Sequence, residues 1–293
     1  MITFFLKYVI IYTRKGFDTM KYKLFKLKFT LLRYFLYILM VILIGFFLFM
    51  ANGIIEMKPV DLIINTFKER GIYEKSININ NQKVNIYKVI NKYDYEKNDT
   101  RTTFKNVDNN YIIGSNLDII ITNRNPLRFE SMAIVQDIGA FFSKNFYIGH
   151  ATININDDGT ELIESVGNMP SDNGVRKHQN DWLKTEISKS NDAQKIIGLR
   201  LKYLTKEIMS QINNSLESKV GLQYNYNLLL KKSNSYYCTD LITRTLEEYD
   251  IKINYDGLYP TGNDMIISNK TYPIFLCERS EKGMFNIYYL CEV

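Results

Sequence analysis

The sequence is short of the residues that build metal and cofactor sites: its 293 positions hold two histidines, three cysteines, one tryptophan, five prolines and fifteen glycines. His150 and His178, with Cys238, Cys277 and Cys291 scattered far from them, offer no metal-ligand spacing, and no glycine-rich loop suited to cradling phosphate occurs. No cofactor or metal is therefore expected. Excess positive charge is confined to the first segment. Of the net +6, Lys7, Arg14, Lys15, Lys21, Lys23, Lys26, Lys28 and Arg33 precede residue 34 against Asp18 alone, so the remainder is close to neutral. That argues against a nucleic-acid-binding surface. Internal repeats are absent, and the 46% apolar content is ordinary for a chain with a packed core.

Charge is missing altogether from Tyr34 to Ile55, YFLYILMVILIGFFLFMANGII. At about 1.5 Å per residue, a helix of that length crosses the hydrocarbon layer of a bilayer. The run exceeds the apolar core of a signal peptide, and Phe49-Met50-Ala51 puts no small residue two positions before a cut. A transmembrane helix is expected, and the preceding cationic cluster predicts a cytoplasmic N-terminus with residues 56–293 on the far side. Ile2–Tyr12 is also apolar but too short to span, and reads as an interfacial or frayed stretch, or as sequence upstream of a start at Met20.

The three cysteines follow the span, an odd number in a compartment that can be oxidising. Cys277 and Cys291 flank an expected hairpin, residues 272–277 and 284–289, turning around Glu281-Lys282-Gly283. Counting outward from the turn sets Cys277 opposite Asn286 or Ile287, so a disulfide to Cys291 is not indicated.

Periodicity suggests the remaining elements. Residues 59–70 predict a short helix with Pro59 in its first turn. Residues 76–106 read as a strand pair turning near Lys97-Asn98-Asp99, and Leu117–Thr122 as a buried strand. A helix is expected over Met132–Phe142. His150–Asn156 alternates, with His150, Thr152 and Asn154 on one face, and Asp157-Asp158-Gly159-Thr160 returns it into the strand 161–166. Residues 170–191 read as a polar loop, residues 192–216 as one long amphipathic helix, and Ser233-Asn234-Ser235 as N-cap candidates for a helix beginning near Tyr236.

Cys238 then falls in the first turn of a helix, where the dipole and unpaired backbone N–H groups favour a thiolate and can hold an oxyanion. A strand histidine within reach, His150, would complete a nucleophile–base pair. Its orienting partner depends on hairpin register. A three-residue loop at 158–160 puts Glu164 on the His150 face; a two-residue Asp158-Gly159 turn puts Glu161 there instead, and Asn154 is a further alternative. Among the tyrosines, Tyr224, Tyr226, Tyr236 and Tyr237 could line a cleft near Cys238. His178 reads as solvated.

The strings NLDIIITNRNP, YIGHATI, ELIES, GLQYNYN and SYYCTDLI, in that order, resemble successive elements of the permuted papain-like (NlpC-type) cysteine hydrolases, and most of all their YiiX-like group. The lecithin retinol acyltransferase group is more distantly similar. Gly149-His150 and Tyr237-Cys238-Thr239-Asp240-Leu241 are the specific parts of a likeness that covers residues 112–276; Leu117 stands where the family often has glycine. The resemblance implies an α+β fold, an antiparallel sheet packed against a cysteine-bearing helix, with Cys238 as nucleophile, His150 as base, Glu164 as the polar third member, and Tyr226 and Tyr237 as substrate-binding residues. It implies a hydrolase acting on amide or peptide bonds of the cell envelope, with a lipid acyl hydrolase or acyltransferase, or a non-catalytic tethered module, as alternatives. The expected organisation is a basic segment 1–33, a span 34–55, a membrane-proximal extension 56–110 and a hydrolase domain 111–293.

Overall fold

A computed structural model describes residues 2–107, 110–123, 146–167, 173–188, 195–227, 231–280 and 283–291, with side chains from residue 26 onward except Glu186 and Ser188. The expected helix over 132–142 lies outside these residues. Two units divide the chain, 1–52 and 53–293.

The first unit is helical throughout, and helix α1 runs without interruption from Ile2 to Glu69 into the second. Within it, Lys26–Glu69 is long and apolar enough to cross a membrane. The separate helix expected over 59–70 is thus the end of α1, and Ile2–Tyr12 is part of the same helix. Pro59 forgoes one backbone bond, but Ile55-Glu56-Met57-Lys58 contains no residue that would stop a helix, so the helix passes through.

In the second unit, strands β1 (Gly71–Ile79), β2 (Gln82–Val89), β5 (Ile119–Thr122), β6 (His150–Asn154), β7 (Glu161–Val166), β8 (Gly174–Gln179), β9 (Lys195–Leu201), β12 (Thr271–Arg279) and β13 (Phe285–Leu290) form one sheet. Their order is β1-β2-β13-β12-β9-β5-β6-β7-β8. The expected α+β class holds, but the sheet is mixed: β13 pairs with β2 in parallel, while its other neighbours are antiparallel. Residues 71–89 therefore belong to the same sheet as His150 rather than to an appended extension. Small sheets pair β3 (Phe104–Val107) with β4 (Asn110–Ile113), and β10 (Gln223–Tyr224) with β11 (Ser235–Tyr236).

Several local expectations are corrected. The first hairpin turns at Asn80-Asn81, not at 97–99; both have φ above zero (49° and 63°), which suits the mirror-image turns that join twisted strands. Residues Asp94–Lys97 form a short helix, α2. The polar stretch 170–191 contains β8 and a helix, α3 (Trp182–Ser188). The long helix expected over 192–216 is β9 followed by α4 (Lys206–Ser218), which Thr205 caps by accepting from the Ile208 N–H. Ile197 and Leu201 recur every four residues, which fits a strand's period of two as well as a helix; Ile196, Ile197 and Gly198 favour the strand.

Helix α5 (Cys238–Glu247) lies against β6 and β7, burying Leu241, Ile242, Thr245 and Leu246. It starts at Cys238, with Tyr237 as N-cap, so Ser233-Asn234-Ser235 do not cap it; Ser235 is in β11 instead. A final short helix, α6 (Gly262–Ile267), opens on a capping box between Thr261 and Asp264. The core is one continuous cluster of buried side chains drawn from the helices and the sheet.

Candidate active site

The site begins with a close backbone approach. A Cβ at Gly149 would lie 2.1 Å from the Thr122 carbonyl oxygen, so only glycine fits before β6. His150 follows at once, paired with Thr122 of β5, and every residue of β6 is buried.

The β6–β7 ladder aligns Thr152 with Glu164 and Asn154 with Leu162. This register centres the turn on Asp158. It has the odd-loop parity that brings Glu164 to the His150 face, displaced by one pleat from a loop at 158–160, which would have set Glu164 opposite Asn154. The His150 Nε2–H donates to Glu164 Oε2 at 2.8 Å. The other candidates for that role are engaged elsewhere: Asn154 donates to the Ile113 carbonyl at 2.9 Å, and Glu161 pairs with Lys177 at 3.2 Å.

The other ring nitrogen, Nδ1, is buried and makes no hydrogen bond within the protein, and the imidazole interacts electrostatically with Cys238. Cys238 is 4% exposed and sits at the first position of α5. Its sulfur is 3.8 Å from the Gly149 carbonyl oxygen, a weak contact. The two residues that chain order keeps 88 positions apart thus meet, as expected, with Glu164 behind the imidazole.

Electrostatics favours the charge-separated form of the pair. Burial pulls the His150 pKa down, but hydrogen bonding and charge from Cys238 and Glu164 outweigh it and raise the value to about 10. Burial pushes the thiol up, yet the imidazole, through hydrogen bonding and charge, and the backbone N–H groups of Ala151 and Thr239 bring it below its ordinary value of 9.0. The proton therefore resides on the ring and the negative charge on sulfur. Burial also opposes ionisation of Glu164, but the imidazolium and Arg176 lower its pKa to about 2.

Arg176 was not foreseen. It faces Glu164 directly across β7–β8, and its Nε and a terminal nitrogen donate to Oε1 at 2.8 and 2.7 Å, leaving Oε2 to the histidine. Its signal was hidden because GVRKHQ carries no apolar alternation; only reading it as an edge strand would have set Arg176 opposite Glu164. Trp182 falls within residues 170–191, the stretch expected to be a polar loop. It opens α3 and lies over the imidazole, ring centroids 5.4 Å apart and tilted by 30°.

Of the two tyrosines expected to contact substrate, Tyr237 is buried beside the nucleophile and stacks on Tyr259, centroids 4.9 Å apart at 11°. Tyr226 is 54% exposed and makes an edge contact with Tyr224. Burial chiefly, with the Cys238 charge contributing, raises the pKa of Tyr224, Tyr237 and Tyr259, so all three remain neutral phenols around the thiolate. His178 sits partly exposed on the edge strand, 3.9 Å from Asp181 and away from this cluster. No disulfide forms among the three cysteines; Cys277 stands opposite Ile287, as the hairpin count implied.

Comparison with known proteins returns no matching family model, no similar curated protein and no matching solved structure.

Proposed function

We propose that this chain is a membrane-anchored cysteine hydrolase working through an acyl-enzyme, with the N-terminus cytoplasmic and the catalytic domain outside the cytoplasm. The observation that carries the reading is the buried Cys238–His150–Glu164 group, with the 2.8 Å His150–Glu164 bond behind an imidazole that interacts electrostatically with Cys238 and has its second nitrogen buried and without a hydrogen bond. The resemblance to the permuted papain-like, YiiX-like hydrolases supports it, as do the order of the motifs and the charge-free run 34–55 after a basic segment.

In this mechanism the Cys238 thiolate attacks the carbonyl carbon of the substrate. Developing negative charge on the carbonyl oxygen is met by backbone N–H groups at the start of α5, whose N-cap residue supplies no side-chain acceptor of its own. The imidazolium gives its Nδ1 proton to the departing nitrogen as the carbon–nitrogen bond breaks, leaving a thioester. Neutral His150 then takes a proton from water, hydroxide adds to the thioester, and the carboxylic acid leaves as the thiolate and imidazolium reform. Glu164 holds the ring through Nε2 and stabilises its charge throughout.

The substrate expected is an amide or peptide of cell-envelope material. Removal or transfer of an acyl chain from lipid uses the same pair, and the Tyr259–Tyr237 and Pro260–Thr239 contacts that join the site to an exposed apolar loop favour keeping that second reading. Incubating the full-length chain in detergent with muropeptides and with phospholipid separates the two: turnover of lipid alone ends the peptide reading. A thiol-directed acyl probe tests catalysis itself. Cys238 should label far faster than in denatured protein, and His150→Ala should abolish the difference. Equal rates in all three would leave a non-catalytic tethered module.

A further inference from the structure

One loop touches both the start of the globular unit and the two residues flanking Cys238. Residues 254–260 connect the stretch after α5 to α6. At one end, Asp256 brings a carboxylate oxygen within 4.8 Å of those of Glu56 and Asp264, and Thr261 donates to Glu56 at 3.4 Å. At the other end, Tyr259 stacks on Tyr237, and the Pro260 carbonyl accepts from Thr239 Oγ1 at 2.7 Å.

Glu56 is the residue immediately after the charge-free run, in the same uninterrupted helix. Covalent connection alone keeps it within a helical turn of the run's end. Ile54 and Ile55 beside it are exposed, and so are Tyr255 and Leu258 at the tip of the loop, at 65% and 66%. The loop displays these side chains from a defined shape. Asn254 accepts from the Gly257 N–H and donates to the Leu258 carbonyl, Asp256 accepts from the Leu258 N–H, and Gly257 takes φ of +73°. An aromatic with a polar tip three positions before a leucine, brought through Asp256 close to the residue that follows an apolar run, is the composition that settles at the headgroup boundary.

We infer that the loop Tyr255–Leu258 docks on the bilayer surface, so that the Cys238 site works on a substrate presented at the membrane. The inference rests on the membrane-anchor reading of residues 34–55. Ile54, Ile55, Tyr255 and Leu258 form one interfacial contact, and the Tyr259–Pro260 segment carries that contact to the first turn of α5.

The test uses full-length protein in phosphatidylcholine–phosphatidylglycerol vesicles, with or without bromine on the acyl chains near the headgroups. Trp182 is the sole native tryptophan, so the emission added by Leu258→Trp or Tyr255→Trp is obtained by subtracting wild type. Brominated lipid should quench the added emission by roughly half or more, with aqueous iodide ineffective, as for a side chain seated in the interface. Retention of the chain in alkaline-washed membranes, with the new tryptophans quenched by iodide and not by bromine, overturns the docking loop while leaving the anchor intact. Release of the chain by the alkaline wash overturns both.

Discussion

Replacing Glu164 by glutamine removes one negative charge while keeping an oxygen that can still accept from the His150 Nε2–H. Glu164 ionises about 2.5 pH units below its ordinary 4.5. At 1.36 kcal/mol per unit, that is about 3 kcal/mol of net attraction to the imidazolium and Arg176, after burial has taken its share. The histidine holds a share of that attraction, so the imidazolium should be weakened in the variant by on the order of one pH unit. The thiol is lowered by that same imidazolium, which stays charged through neutral pH in both proteins, so the change should appear where the ring itself loses its proton. The assay is the pH dependence of iodoacetamide alkylation of the full chain in detergent, resolved by peptide mass, with Cys277 and Cys291 as internal comparisons. Trp182 emission provides a second readout, because the indole lies 5.4 Å from the ring whose proton is at issue. In Glu164→Gln the midpoint at which Trp182 emission follows loss of the ring proton should move downward by about one unit, while the alkylation midpoint of Cys238 does not rise. Coincident Trp182 midpoints would mean that Glu164 carries no charge to the relay, and the electrostatic argument would be wrong.

Arg176→Ala leaves Glu164 buried with the histidine as its ion-pair partner, and stability measured by chemical denaturation should fall by about 1–3 kcal/mol. Gly149→Ala forces a Cβ to 2.1 Å from the Thr122 oxygen, so the β5–β6 junction must shift; thermal unfolding should show a loss of about 3 kcal/mol or more, and a wild-type melting curve would contradict the close approach. Glu56 is neutral in the fold up to about pH 8, because burial first and then Asp264 and Asp256 raise it from 4.5. The folded state therefore holds this proton more tightly than the unfolded state, and stability should decline as pH rises from about 4.5 to about 8, by at most about 5 kcal/mol. Glu56→Gln should flatten that decline in denaturation curves compared at the two ends of the window.

The legibility of the sequence varied with the kind of force at work. A dense β-branched run announced β5, alternation announced β6, and the turn at 157–160 announced β7, whose six positions from Glu161 to Val166 were correctly bounded. Cys238, His150 and Glu164 were named from motif order and parity; the β6–β7 ladder brings His150 and Glu164 together, and the helix α5 packed on those strands carries Cys238. Elements held by polar pairing were invisible. β8 is specified by ladder bonds and by Arg176 against Glu164, neither of which leaves an apolar pattern. β9 was merged with α4 because Ile197, Leu201, Leu204, Ile208 and Ile212 keep an even spacing through a change of structure, and the cap at Thr205 was the overlooked boundary. The N-cap of α5 was misplaced for the opposite reason: serines and an asparagine were present, but the helix opens on a tyrosine and leaves the N–H groups of its first turn to the nucleophile.

The parallel pairing of β13 with β2 joins stretches separated by some 200 positions, as the bond from Asn85 to Asn286 across 201 residues shows. A chain that emerges from its N-terminal end, from a ribosome or through a translocation pore, must hold the first hairpin with one side open until nearly the whole domain has been delivered. Closing so long a loop is costly in entropy and slow, and until then the β2 edge is a template for pairing with other chains. Synthesis and assembly of this protein should accordingly be more vulnerable to interruption near the finish than at any earlier stage, with truncation before Phe285 producing aggregation rather than a smaller working domain.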